Sequence, residues 1–343
     1  DLNSLYPHLI MQYNMSPETL VTGDYMKLTV DNMLQETPLD VPDKCTITPN
    51  GALYRTDKKG FLPEMMQEIY DDRTVFKKKM LKAKQDYEDT KDPKYLKYIS
   101  RYNNIQMARK IQLNSAYGAI GNQYFRYYKL ANAEAITLSG QVSIRWIENK
   151  MNKFINKILK TEDVDYVIAS DTDSIYLNLG PFVDAVFKGR EKTSEQVVDF
   201  LNKVCEVEFE PYIESSYQAL ADYVNAYDQK MQMKRENIAD RGIWTAKKRY
   251  ILNVWDSEGV RYKEPKMKIM GLETQRSSTP AYFKDKLLKA YKIMIEGSND
   301  DMIDYISQIK SDTKKQSYLD IAFPRGCNNL DTYRSFSEIY KKG

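Results

Sequence analysis

The sequence predicts an α+β fold, and three stretches carry that expectation: a helical hairpin between Pro63 and Gly118, a long helix over residues 133–159, and a short β-hairpin with acids at its turn between Tyr166 and Leu177. Elsewhere short strand-like runs alternate with turn residues, without repeats or low-complexity linkers.

Residues 1–14 read as a short strand, a turn at Tyr6-Pro7 and an apolar segment. Residues 15–60 are rich in turn residues (Ser16-Pro17, Thr37-Pro38, Pro49-Asn50-Gly51) and read as short strands and loops. Pro63 followed by Glu64 and Glu68 starts a helix that runs to about Thr90. Asp92-Pro93 breaks it, because proline disfavours a helical residue before it, and a second helix runs from about Lys94 to Gly118. In 133–159 the apolar positions Ile136, Leu138, Val142, Ile144, Ile147, Met151, Phe154, Ile155 and Ile158 keep helical spacing. Tyr166–Ala169 and Ile175–Leu177 flank the polar tetrad Ser170–Asp173, and these apolar arms are expected to bury the hairpin and hold its tip rigidly. Residues 193–230 read as helix, 243–271 as two strands joined by Asp256-Ser257-Glu258-Gly259, 280–310 as helix, and the tail as loop.

With 343 residues there is enough chain for two or three domains. Hydrophobic residues at 42% exclude a disordered chain, and 27 tyrosines suit wet interfaces as well as ordinary packing. A net charge of +3 does not by itself call for nucleic acid, so any basic face must come from local clustering. Cys45, Cys205 and Cys327 lie far apart, which indicates neither a zinc site nor a disulfide framework and fits a reducing setting. His8 is the one histidine, which excludes a His-rich metal site. No apolar run has transmembrane length and no signal peptide is seen, so no membrane partner is expected. The chain opens on Asp in a strand-like run, which reads as a piece of a longer protein.

Asp171 and Asp173 are spaced i, i+2, so on one strand face they repel unless a cation sits between them. Magnesium suits such a pair, since it takes oxygen ligands and is often held by one or two carboxylates plus substrate phosphates. The alternative is a solvated turn. Asp1, in Asp1-Leu2-Asn3-Ser4-Leu5-Tyr6-Pro7, says little alone. Arg73 and Lys77 share one helix face, as do Lys110 and Asn114. Both pairs sit roughly 27 Å from the tip at Asp92-Pro93, so antiparallel helices bring three cations and an amide to one level, a triphosphate clamp. The alternative is a solvated helix face; Lys78, Lys79, Lys82 and Lys84 are read as that or as general electrostatics. Lys247, Lys248, Arg249 and Tyr250 form a basic cluster entering a strand, with Lys248 and Tyr250 on one face and Lys247 and Arg249 on the other. It reads either as a grip on phosphates or as an edge strand guarded against aggregation.

These motifs carry a resemblance. DLNSLYP resembles motif A of the family B DNA polymerases, Lys110–Gly118 (KIQLNSAYG) is similar to motif B, DTDS resembles motif C, and Lys247–Tyr250 resembles the KKRY element; all four stand in the family's order. The stretches NSAYGAIGNQYFRYY, TAKKRYILNVWD and KIMGLETQRSSTP look closest to polymerases of tailed, myovirus-type bacteriophages. The resemblance implies an antiparallel palm sheet flanked by helices, a helical-hairpin fingers insertion and a partial helical thumb: palm over 1–60, fingers over 61–118, palm over 119–272 and an incomplete thumb over 273–343. It implies a DNA-directed DNA polymerase that adds deoxynucleotides to a primer 3′-hydroxyl with two magnesium ions, for which manganese can substitute.

By the same resemblance Asp1 and Asp173 bridge the metals, Asp171 supports the site, and the Leu2 carbonyl and Glu236 are further ligands; Glu236 reads equally well as an exposed salt-bridge acid. Lys110, Arg73, Lys77 and Asn114 hold the triphosphate, helped by backbone amides from Ser4 through Leu5 to Tyr6. Tyr6 gates the sugar, Tyr117 and Gly118 line the nascent base pair, and Lys247 to Tyr250 hold the primer strand. Implied partners are primer–template DNA, deoxynucleoside triphosphates and, for the full-length protein, a sliding clamp; the implied setting is the cytoplasm of an infected bacterium. The chain departs from the family at His8, where serine is common, and in a short finger hairpin. It contains no exonuclease segment, and a free amino group at Asp1 would oppose metal binding, so the isolated piece is expected to be a poor enzyme. Rival readings are a non-catalytic nucleic-acid-binding fragment, an RNA-making palm polymerase and one chain of a split polymerase.

Overall fold

The structure is a computed structural model that describes residues 1–21, 26–326, 328–329 and 332. It divides into two units: Asp1–Ile238 with Asp256–Arg261, and Ala239–Trp255 with Tyr262–Gly343. The fold is α+β, and its strands form three small sheets among the described residues. Leu2 joins no named strand and makes an isolated antiparallel bridge to Met233.

The first unit runs α1 (Leu5–Gln12), α2 (Val30–Leu34), β1 (Cys45–Ile47), β2 (Leu53–Arg55), α3 (Phe61–Thr90), α4 (Lys94–Ile120), α5 (Leu130–Leu159), β3 (Val167–Asp171), β4 (Ser174–Leu177), α6 (Gly180–Phe187), α7 (Ser194–Val204) and α8 (Glu210–Tyr223). The turn expected at Tyr6-Pro7 is instead the first turn of α1, where proline has no amide to lose. Every residue of α1 except Tyr6 is buried, and the helix packs against α5. Along α5, Ile136, Ile147, Met151 and Ile155 are fully buried, as their helical spacing predicts. Trp146 of the same helix donates its ring N–H to the Ser216 carbonyl of α8 at 2.9 Å. The expected helix over 193–230 stops at Tyr223, contains a π-helical segment at Cys205–Phe209, and gives way to the extended chain that reaches Leu2. α6 was not anticipated; it carries Pro181 in its first turn.

The hairpin of α3 and α4 has the expected tip, and its outer ends, Phe61 and Ile120, lie two residues beyond those expected. Its tip is closed by Lys91 in a left-handed conformation and by Asp92, whose carboxylate accepts the Lys94 amide at 2.9 Å. Asn14 sets where α3 begins. It is fully buried, and it donates to the carbonyls of Arg55 (2.7 Å) and Lys58 (2.8 Å) while accepting from the Gly60 amide (2.8 Å). Gly60 caps α3, and a Cβ there would lie 2.6 Å from the Ser16 Cβ.

The second unit holds most of the sheet β5 (Asn237–Ala246), β6 (Arg249–Ser257) and β7 (Val260–Met270), in that order, followed by α9 (Ala281–Glu296), α10 (Asn299–Thr313) and α11 (Tyr318–Ile321). Its core gathers Ile251, Leu272, Tyr291 and Ile295. Three strands replace the two that were expected, and the long helix over 280–310 breaks at Gly297, where Ser298 and Asp301 form a capping box for α10. No described helix is long and apolar enough to cross a membrane. Cys45 and Cys205 are free thiols, and Cys327 lies outside the described residues.

Asn14→Ala should leave three backbone groups without this partner, the Gly60 amide buried and the Arg55 and Lys58 carbonyls part-buried. The expected loss is about 2–4 kcal/mol in urea unfolding, from roughly 1 kcal/mol per buried hydrogen bond plus the cost of leaving its partner unmet.

Candidate active site

The acidic side of the site joins three segments that are remote in sequence. Leu2 is 2% exposed, and its amide donates to the Asp173 carbonyl at 2.7 Å. On its other side the same strand pairs with residues 232–234: Lys234 donates to the Asp1 carbonyl (3.0 Å), and Asn3 donates to the Gln232 carbonyl (3.2 Å). The β3–β4 turn is tight. Thr172 is left-handed (φ 53°), and the Asp173 amide reaches the Asp171 carbonyl at 2.6 Å.

Of the hairpin's apolar arms, Tyr166 and Val167 are buried as expected and Ile175 and Leu177 pack partly buried against the core, whereas Ile168 is 49% exposed at a register shift in β3. Polar contacts add to this anchoring. Asn152 of α5 accepts from the amides of Tyr166 (2.9 Å) and Val167 (3.0 Å), and the Leu2–Asp173 bond holds the tip. Burial raises the Asp173 carboxyl above its ordinary range; its own backbone amide and Lys110 work against this, and Asp171 adds to it.

Opposite stand the helices of the hairpin. Arg73 is 8% exposed, and its Nη1 donates to Ser4 Oγ at 2.6 Å. Burial lowers its pKa, while Tyr70 and Glu258 favour its charge. Lys77 pairs with Glu258 at 2.5 Å. Arg109 of α4 pairs with Asp72 of α3 at 2.5 Å and ties the two helices together. The ring of Tyr6 lies 4.7 Å from that of Tyr117, tilted by 51°. Burial raises the Tyr6 hydroxyl, and Tyr117 and Asp173 reinforce the shift.

Between the two sides lies a cleft of about 530 Å³. Its walls include Asp1, Leu2, Ser4, Leu5, Tyr6 and Asp173 from one side, and Arg73, Lys77, Lys110, Asn114 and Tyr117 from the other. Glu236 also lines it. Asp171 and Gly118 are not among the lining residues. Eight further residues are: Asn3, Met80, Lys84, Asn103, Gln106, Met107, Thr172 and Glu258. Lys84, read from sequence as a solvated lysine, is therefore a correction. Its spacing from Arg73 and Lys77 is helical, and the same rule reaches Gln106 and Asn103 from Lys110. Nothing in the linear pattern marks Glu258.

The KKRY element belongs to the second unit. Lys247 and Lys248 form the turn between β5 and β6, with Lys248 at φ 62°, so the strand alternation assigned to them does not apply. Arg249 pairs with Glu273, and Tyr250 is buried with its ring 6.1 Å from Trp244.

His8 is buried in α1. Its Nδ1 lies 3.0 Å from the Ser4 carbonyl, and its ring meets Tyr70 of α3 edge-on at 4.3 Å. The departure from serine thus fills the space between α1 and α3.

The donor set at the acidic side is oxygen only, and no group of three or more His, Cys, Asp or Glu side chains gathers there or elsewhere among the described residues. That fits a hard cation held by one or two carboxylates and completed by water and phosphate. A half-buried Asp173 whose charge is disfavoured fits it too.

Residues 1–216 match the family described as DNA polymerase family B. The chain belongs to DNA polymerase family B. The family B chain is 33% identical to the DNA-directed DNA polymerase of Enterobacteria phage T4, over 97% of this chain and 42% of the relative. It is 34% identical to the DNA-directed DNA polymerase of Escherichia phage RB69, with the same coverage of each. It is 26% identical to DNA polymerase 1 of Pyrococcus abyssi, over 94% of this chain and 33% of the relative. The chain thus spans about two-fifths of the length of its phage relatives.

Burial holds the His8 pKa down to about 4, from 6.5, against the raising effect of the Ser4 carbonyl. A lowered histidine pKa means that the unfolded chain takes up the proton first, so the stability His8 contributes is present above about pH 6.5 and is lost as pH falls toward 4. Full loss is on the order of 3 kcal/mol. His8→Phe should flatten the fall in melting temperature between pH 7 and pH 4.5, measured by calorimetry at several pH values.

Proposed function

We propose that this chain carries the nucleotide-transfer centre of a DNA-directed DNA polymerase, with primer–template DNA and deoxynucleoside triphosphates as substrates. The observation that carries the reading is the single cleft with Asp1 and Asp173 on one wall and Arg73, Lys77, Lys110 and Asn114 on the other. Carboxylates for cations and cations for a polyphosphate, face to face, suit transfer of a phosphoryl group between them.

In this reading Asp1, Asp173, the Leu2 carbonyl and Glu236 would hold two magnesium ions, for which manganese can substitute, and Asp171 would support the site. When bound, these ions supply a more acidic primer 3′-hydroxyl and charge neutralisation of the departing pyrophosphate. Arg73, Lys77, Lys110 and Asn114 grip the triphosphate, and the amides of Ser4, Leu5 and Tyr6 take further phosphate oxygens. The primer 3′-oxygen then attacks the α-phosphorus in line, a new P–O bond forms, and the bond to pyrophosphate breaks. Tyr6, braced by Tyr117, packs beneath the sugar and leaves no room for a 2′-hydroxyl. Tyr117 and Gly118 check the nascent pair from the minor groove, where acceptor positions are shared by all pairs. Lys247, Lys248, Arg249 and Tyr250 serve the primer strand through sequence-independent, salt-sensitive contacts. A palm, fingers and partial-thumb division, replication in an infected bacterium and a sliding-clamp partner complete the proposal.

Asp173→Ala should abolish magnesium-dependent primer extension while leaving DNA retention in a gel-shift assay; retained extension would overturn the reading. Lys110→Ala should raise the KM for deoxynucleotides roughly tenfold to a hundredfold, the effect of losing one charged hydrogen bond. Tyr6→Ala should raise ribonucleotide incorporation, read on alkali-treated products, and no change would argue against the sugar gate.

A further inference from the structure

Glu258 lies at the tip of the β6–β7 hairpin, within the first unit, and has no place in the mechanism above. Its side chain lines the cleft and pairs with Lys77 at 2.5 Å, both partners being about a third exposed (27% and 31%). It also lies near enough to Arg73 to favour that cation's charge. A carboxylate therefore pairs with one of the three cations assigned to the triphosphate and stands within electrostatic reach of a second.

The tip that presents it is built firmly. Glu258 and Gly259 are both left-handed (φ 52° and 86°), the geometry of a two-residue type I′ turn. That turn favours Asn, Asp or Gly, and a glutamate there carries backbone strain. The Glu258 amide donates to the Glu236 carbonyl at 2.6 Å, and the Gly259 amide donates to Asp256 at 3.0 Å. Asp256, which is 2% exposed, pairs with Arg235 and with Arg261. The Arg261 amide in turn donates to Gln85 of α3 at 3.0 Å. A strained glutamate on a braced turn is held against α3 by this network, and its carboxylate is what the position supplies.

We infer that Glu258 is an internal anionic placeholder in the triphosphate clamp, holding Lys77 in position until an incoming polyphosphate displaces it. The inference rests on reading Arg73, Lys77, Lys110 and Asn114 as that clamp. The polyphosphate must break the Lys77–Glu258 pair and approach a like charge, so the placeholder weakens binding and keeps Lys77 ordered between turnovers. It also discriminates: a ligand with one or two phosphate charges displaces a carboxylate less readily than a triphosphate does.

The test is equilibrium dialysis of inorganic tripolyphosphate, without divalent metal, against the wild type, Glu258→Gln, Lys77→Ala and the double variant. Glu258→Asn, which suits the left-handed turn, is a second variant should Glu258→Gln fold poorly. A partly exposed ion pair and one removed repulsion predict roughly threefold to tenfold tighter binding for either Glu258 variant. In the Lys77→Ala background the gain should shrink to that repulsion alone. A Glu258 variant that binds equally or more weakly, while Lys77→Ala weakens binding, overturns the placeholder and leaves the clamp standing. If Lys77→Ala leaves tripolyphosphate binding unchanged, the clamp itself fails, and the placeholder with it.

Discussion

The site depends on one backbone hydrogen bond, from the Leu2 amide to the Asp173 carbonyl at 2.7 Å. Leu2 is almost fully buried, and a buried amide must find a partner, so the bond is obligatory once the residue is packed. It holds Asp1 beside the β3–β4 turn. Ser4 then turns the chain with a left-handed residue (φ 47°), and α1 begins at Leu5 and sinks its apolar side chains against α5. The positions of Asp1, Ser4 and Tyr6 relative to Asp173 therefore follow from one register. Slipping this pairing by a single residue would turn Asp1 to the opposite face, away from Asp173.

A second constraint is electrostatic. Burial disfavours charge on Asp173 and on Arg73 alike, one on each wall of the cleft. Neither has an intramolecular partner that cancels the cost outright. Arg73 Nη1 makes its bond to a serine hydroxyl, and Asp173 sits near a second aspartate. Each would gain from a ligand of opposite charge, a cation at Asp173 and an anion at Arg73. Perturbed charges gathered in one cleft are a feature that functional sites concentrate. The Lys77–Glu258 pair is the exception, a cation whose counter-charge is built in.

The parts that were legible in the sequence are those written in local code. The hairpin of α3 and α4 follows from helical spacing and the Asp92-Pro93 break, and its limits fall within two residues of those expected. Meeting of Arg73, Lys77, Lys110 and Asn114 at one cleft follows from the same arithmetic, because antiparallel helices convert equal distance from a tip into adjacency. Lys84 was misread because exposure was assumed from charge, although its spacing from Lys77 put it on the same face. In the hairpin arms Tyr166 and Val167 are buried as their apolar character predicts, but Ile168 is apolar and exposed, and part of the anchoring falls to Asn152, whose role is invisible without α5 beside it. A residue before a proline suggested a turn at Tyr6, yet Pro7 in a first helical turn costs nothing.

Sequence alone determined the α+β class, the helical hairpin, the acidic turn at Asp171–Asp173 and, through four ordered motifs, the resemblance to a polymerase family. These are properties of short windows, where spacing and residue type dictate local conformation. Tertiary structure alone decided which backbone pairing holds Asp1 beside Asp173, that Asp171 stays off the cleft wall, and that Lys77 faces Glu258. Those contacts join residues far apart in the chain, through backbone pairing and a strained turn whose partners no local pattern specifies.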